Sequence, residues 1–132
     1  MSKRHRVVVA DDHQVMLDAL VRLLGREFDV VAAVSDGLSA VTAASQFEPD
    51  LLVLDIAMPQ LSGIAAATRI MKEGSPAKVV FVTNLHDREF VQESLALGQV
   101  GFVVKDRLVA DLLPAIRTVL EGKSFVSPNM VR

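Results

Sequence analysis

Apolar residues fall in short unbroken runs separated by longer stretches with helical spacing. Val7–Ala10, Leu51–Leu54, Val79–Val82 and Val100–Val104 are almost wholly apolar and lack the alternation of a half-exposed strand. Such runs fit strands covered on both faces. Phe28–Val34 is a further β-rich run. Between the runs, His13–Arg26 places Val15, Ala19, Leu20, Leu23 and Leu24 on one expected helical face, with Gly25 near its end. Leu38–Phe47, Ser62–Glu73, Asp87–Leu97 and Leu108–Glu121 show comparable spacing. Ser35-Asp36-Gly37, Glu48-Pro49 and Gly74-Ser75-Pro76 punctuate them, as do Gly98 and Gly122. Pro114 removes a backbone donor and biases Leu113 away from helix. A kink, or a helix regular only after Pro114, is expected. Ser124–Pro128 reads as an extended piece before a new segment.

Strand and helix alternate five times, which predicts a doubly wound α/β layer with a parallel five-stranded sheet and five helices. With 132 residues, 51% of them hydrophobic, the chain is one domain able to bury a core. No apolar run approaches the roughly 20 residues that span a bilayer. The basic start Met-Ser-Lys-Arg-His-Arg is followed by an apolar run too short for a signal peptide. There is no cysteine, which removes disulfides, thiolate metal sites and thiol nucleophiles. A cytoplasmic location is expected, with no membrane partner. The net charge of −2 gives no general attraction to nucleic acid, and the absence of Trp and Tyr argues against a single-strand stacking platform.

In an open parallel sheet, ligands bind outside the carboxyl ends of the strands. Asp11-Asp12 stands at the first such end, Asp55 at the third, Thr83 at the fourth and Lys105 at the fifth. Like charges gathered at one edge raise one another's pKa values unless neutralised. A hard divalent cation such as Mg²⁺ suits several carboxylates together with phosphate oxygens, and Lys105 supplies a second positive charge. Cation, lysine and hydroxyl form a set for phosphoryl oxygens, leaving one carboxylate free as a nucleophile. Asp55, on the middle strand, is the best placed.

Taken singly, each residue has a plainer reading. Asp11-Asp12 suits a helix cap, Asp55 a cap or turn, Thr83 a structural strand end and Lys105 a solvated surface. His13 reads as an exposed residue of the first helical turn rather than a ligand; His5 and His86 read likewise. The concurrence at four strand ends outweighs these separate readings.

These residues resemble the receiver domain of two-component response regulators over nearly the whole chain. The resemblance rests on the acid pair Asp11 and Asp12, on Asp55-x-x-Met58-Pro59-x-x-x-Gly63, on Thr83 and Lys105, and on Phe102 three residues before the lysine. It implies strand order 2-1-3-4-5 and phosphorylation of Asp55 by a sensor histidine kinase. It implies that Asp12, Asp55 and the backbone carbonyl of Ala57 hold Mg²⁺ (or Mn²⁺), with Asp11 acting through water. Lys105 and Thr83 would contact the phosphoryl group. Thr83 moving inward, with Phe102 following, would remodel the face of helix four, strand five and helix five. The resemblance implies a switch rather than an enzyme, one that supports its own phosphorylation and slow dephosphorylation.

Asp11-Asp12-His13, Lys105-Asp106 and Ala115–Pro128 resemble the NarL/FixJ (LuxR-type) subfamily. This implies a receiver over residues 1–122 and, over 123–132, the start of a linker to a helix-turn-helix DNA-binding domain. Transcription regulation and DNA contact would come through that domain, and homodimerisation is expected on phosphorylation. A piece of a longer protein is expected over a stand-alone receiver acting by protein contact. Asn84 after the switch threonine and Ala57 two residues after Asp55 depart from common receiver patterns. Asp106 stands where many receivers have a cis proline, so a trans bond is expected. An aspartyl-phosphate hydrolase would carry a second acid at Ala57. A flavin module would need a Ser/Thr/Gly-rich loop in place of Asp11-Asp12-His13-Gln14. A receiver that signals without phosphorylation is disfavoured by the complete residue set.

Overall fold

The computed structural model describes residues 4–84 and 88–128. The strands are β1 (Arg6–Ala10), β2 (Asp29–Val34), β3 (Leu51–Leu54), β4 (Lys78–Thr83), β5 (Gly101–Val104) and β6 (Phe125–Val126). The helices are α1 (Gln14–Leu24), α2 (Gly37–Phe47), α3 (Gly63–Lys72), α4 (Arg88–Leu95) and α5 (Leu108–Leu120). All strand pairings are parallel. The sheet has six strands in the order β2-β1-β3-β4-β5-β6, which corrects the expectation of five. The added strand is the segment read as merely extended. It was illegible because a two-residue strand has no period. Backbone bonds seat it: Phe125 N–H donates to Val100 O at 3.1 Å and Ser127 N–H to Phe102 O at 2.9 Å.

The apolar runs form the central strands, buried on both faces. Val8, Leu52, Leu54, Phe81, Phe102 and Val104 pack under α2, α3 and α4. Val7, Val9, Leu51, Val53, Val80, Val82 and Val103 pack under α1 and α5. Each fully buried side chain of this size contributes about 1.5–3 kcal/mol before entropy is counted. On α1 the buried stripe is Leu17, Leu20 and Leu24, whereas Val15 is 83% exposed. The expected face was therefore rotated: Leu17, unlike Val15, shares the i, i+3, i+7 row with Leu20 and Leu24. The α5 helix continues through Pro114, so regularity does not begin only after it. No peptide bond is cis among the described residues, Lys105–Asp106 included. Among the same residues no helix is long and apolar enough to cross a membrane.

Register sets the site. Ala10 pairs with Leu54, and Asp55 N–H donates to Ala10 O at 2.9 Å, so Asp11 and Asp55 leave neighbouring strands side by side. Thr83 pairs with Val104, immediately before Lys105. The chain proceeds from β1 toward β2 on one side and returns to β3 on the other. The carboxyl ends of β1 and β3 thus flank the point where strand order reverses, where such sheets open a crevice.

Candidate functional site

The structure brings Asp11, Asp12, His13 and Asp55 together, with one potential ligand atom of each within 4.8 Å of the others. Asp11 and Asp55 are 0% and 4% exposed. Asp11 does not cap α1, whose N-cap residue is His13 with no side-chain cap hydrogen bond. Asp11 Oδ1 accepts the His13 N–H at 2.9 Å, just ahead of α1, while its Oδ2 faces Lys105. Asp12 and His13 stand at the exposed rim. His13 is the N-cap residue of α1, its Nδ1 3.3 Å from Asp12 Oδ1 and 3.5 Å from Asp11 Oδ1.

Lys105 leaves the end of β5 and opens a short 3-10 turn, Lys105–Arg107. Its Nζ lies 2.8 Å from Asp11 Oδ2 and donates a 3.2 Å hydrogen bond to Asp55 Oδ2. Burial pushes the Asp55 carboxyl upward; the Lys105 charge draws it down and Asp11 pushes it up again, leaving it above the ordinary carboxylate value. Burial alone would lower the Lys105 ammonium. Its contacts with Asp11 and Asp55 outweigh burial and raise it.

The backbone that carries Asp55 is backed by its own loop. Gly63 N–H donates to Ile56 O at 2.8 Å, and a Cβ on Gly63 would fall on the Asp55 carbonyl oxygen. Ser62 caps α3, its Oγ accepting the Ala65 N–H at 3.2 Å, as the sequence suggested. The loop also rests on the start of α2, where a Cβ on Gly37 would meet the Leu61 backbone. Gln60 turns the chain with a φ of 72°, a left-handed position that no sequence signal marked. Ala57 and Asn84 are exposed. Thr83 is fully buried at the end of β4, and Phe102 is fully buried within β5. Phe81 and Phe102 are paired in register and share the α2–α3–α4 side of the sheet. His5 lies away from the cluster beside Phe28, and His86 lies outside the described residues.

The donors fit a hard cation. They are mainly carboxylate oxygens, and the buried Asp11 Oδ2 makes no well-aligned hydrogen bond. A buried carboxylate, an acid pair beside it and a buried ammonium across it form a set that can bind phosphoryl oxygens.

The response regulator receiver domain family matches residues 7–117. The chain belongs to that family. Relatives of this receiver domain include the Bacillus subtilis transcriptional regulatory protein YvfU, 34% identical over 127 residues, covering 95% of this chain and 64% of the relative. The transcriptional regulatory protein DegU of Brevibacillus brevis is 33% identical, with 95% and 54% covered. Among solved structures, a LuxR-family two-component response regulator from Aurantimonas sp. SI85-9A1 superposes with a TM-score of 0.89 at 28% identity, over 98% of this chain and 93% of that one. The receiver domain of the putative regulator NarL from Mycobacterium tuberculosis gives 0.86 at 27% identity, over 92% and 100%. The receiver chain spans 54% of the DegU relative and 64% of YvfU, less than two thirds of either. Receiver domains are signalling switches, and this one carries the receiver sheet, helices and acidic edge.

The sequence did not reveal the group formed by half-exposed Arg107 with buried Asp111 and Ser127. Arg107 Nε and Nη2 donate to Asp111 at 2.8 and 3.2 Å, and Ser127 Oγ donates to it at 2.7 Å. Arg107 and Asp111 stand four apart, a spacing that by itself reads as a surface helix pair.

Proposed function

We propose that Asp55 is the phosphoacceptor of this receiver domain. A carboxylate oxygen of Asp55 forms an O–P bond as the N–P bond of a phosphohistidine on a sensor kinase breaks. The electron pair stays on the imidazole nitrogen, which takes up a proton. The observation that carries this reading is Asp55 and Asp11 side by side at the β1–β3 edge, with one ammonium 3.2 and 2.8 Å away. Asp12, Asp55 and the Ala57 backbone carbonyl would hold Mg²⁺ or Mn²⁺, with Asp11 acting through water. When bound, the cation neutralises phosphoryl-oxygen charge. Lys105 neutralises another share, and Thr83 offers a hydroxyl at the end of β4.

Thr83 turning toward the phosphoryl group and Phe102 following would carry the change to the face of α4, β5 and α5. The domain supports its own phosphorylation and a slow loss of the group to water. Ala57, with no acid or base on its side chain, supports a switch over a hydrolase. The receiver unit includes β6 and the Ser127 that follows it, and transcription is regulated through a DNA-binding domain of the whole protein. Phosphorylation favours a homodimer, in the cytoplasm.

Incubation with acetyl phosphate and Mg²⁺, followed by intact mass, tests the reading. One added phosphoryl group, absent without the cation and absent in Asp55→Asn, is expected. No adduct on the wild-type chain contradicts it.

A further inference from the structure

The Lys105 turn is tied down on both sides by one buried carboxylate. Asp111 is 4% exposed and Ser127 is fully buried. Ser127 Oγ donates to Asp111 Oδ2 at 2.7 Å and accepts the Val104 N–H at 3.2 Å. Arg107 grips the same carboxylate from the other end of the turn. Val104 and Arg107 are the residues one before and two after Lys105, so the lysine backbone hangs between two anchors on Asp111. One anchor belongs to the C-terminal strand: Ser127 directly follows β6, and its N–H holds Phe102 O at 2.9 Å.

Burying a carboxylate and a hydroxyl costs free energy unless their bonds are made with good geometry, and here they are. A short edge strand needs no such group to pair with β5. The group fixes the exit of β5, where Lys105 must reach 2.8 Å from Asp11 and 3.2 Å from Asp55 across the sheet edge.

We propose that Asp111 and Ser127 are positioning residues for Lys105, and that docking of β6 is thereby coupled to phosphoryl uptake at Asp55. The proposal rests on Asp55 being the acceptor. Coupling is reciprocal: if docked β6 favours phosphoryl binding, phosphoryl binding favours docked β6.

A double-mutant cycle on the full chain tests it, reading the rate of phosphoryl gain from acetyl phosphate with Mg²⁺ by intact mass. Ser127→Ala slows uptake about tenfold, the scale expected when a charge-neutralising group is displaced. Ser127→Thr, which keeps the hydroxyl, restores most of the rate. In a Lys105→Met background the Ser127→Ala factor shrinks to about twofold or less, because both changes act through one group. If Ser127→Ala fails to fold by circular dichroism, Asp111→Asn, of equal size, takes its place in the cycle. Hydrogen exchange at the Phe125 and Ser127 amides slows when Mg²⁺ and beryllofluoride are added. The same factor in both lysine backgrounds, no effect in either, or unchanged exchange overturns the proposal. A wild-type chain that takes up no phosphoryl group instead refutes Asp55 as the acceptor.

Discussion

The Lys105 ammonium stands 2.8 Å from Asp11 Oδ2, with the two side chains 6% and 0% exposed. The same ammonium lies 3.2 Å from Asp55, so one buried cation serves two buried carboxylates. Removing it leaves both without compensation. Lys105→Met is therefore expected to destabilise the fold by about 3 kcal/mol, the scale seen when a buried pair loses one partner. Urea unfolding checks this. Mg²⁺ should return part of the loss, since a ligand that binds only the folded acid cluster stabilises it by mass action.

Asp55 carries the opposite sign. Burial and Asp11 raise its folded pKa despite Lys105. The folded chain then binds that proton more tightly than the unfolded chain. Stability falls as pH rises through the interval between the unfolded and folded pKa values, and the ionised group costs stability above it. Asp55→Asn removes that cost. Its melting temperature at pH 7 should exceed the wild-type value in metal-free buffer. The gain should vanish below the unfolded carboxylate pKa of about 3.9. A variant that melts lower at pH 7 would show that Lys105 depends on Asp55 more than burial penalises it.

Asp111 gives the contrasting acid response. Burial works against its charge, but hydrogen bonds from Arg107 and Ser127 outweigh burial and hold its pKa below the ordinary carboxylate value. Its contribution is present above the unfolded pKa and is lost as pH falls through the folded pKa. The wild-type chain should lose stability through that acid range, and Asp111→Asn should lose less there while being weaker at pH 7. Thermal melts of both chains from pH 7 down to pH 3 read the difference.

Gly63 stands where the loop after Asp55 returns on itself. A Cβ there would fall on the Asp55 carbonyl oxygen, which is backbone and has no flexible end to yield. Gly63→Ala should cost about 1–3 kcal/mol as an overpacked contact and slow phosphoryl uptake by displacing Asp55. Gly74→Ala is the control for backbone freedom. Gly74 has a φ of 91° but nothing within 4 Å of an added Cβ, so that variant should lose stability without a specific loss of uptake.

The central strands were legible because strands buried on both faces leave unbroken apolar runs. The acidic edge was legible because Asp11, Asp12, Asp55 and Lys105 each follow such a run, and parallel order sends all of those ends to one side. Helix faces were less so: Val15 fits a helical spacing as well as Leu17 does, and only packing against the sheet selects the buried row. The β6 strand and the Asp111 group were not legible. Phe125–Val126 is too short to show a period, and Arg107 with Asp111 reads as a surface pair until Ser127 arrives from 16 residues away. Such a group is a tertiary fact, made by chain return and not by local pattern.

The central claim is that Asp55 accepts the phosphoryl group. The most direct measurement is borohydride reduction of the chain after acetyl phosphate and Mg²⁺, followed by peptide mass spectrometry. An acyl phosphate reduces to an alcohol and marks its own position. The account predicts homoserine at residue 55, with Asp11, Asp12 and Asp111 unchanged. Reduction at any of those three in place of Asp55, or no reduced aspartate at all, would contradict it.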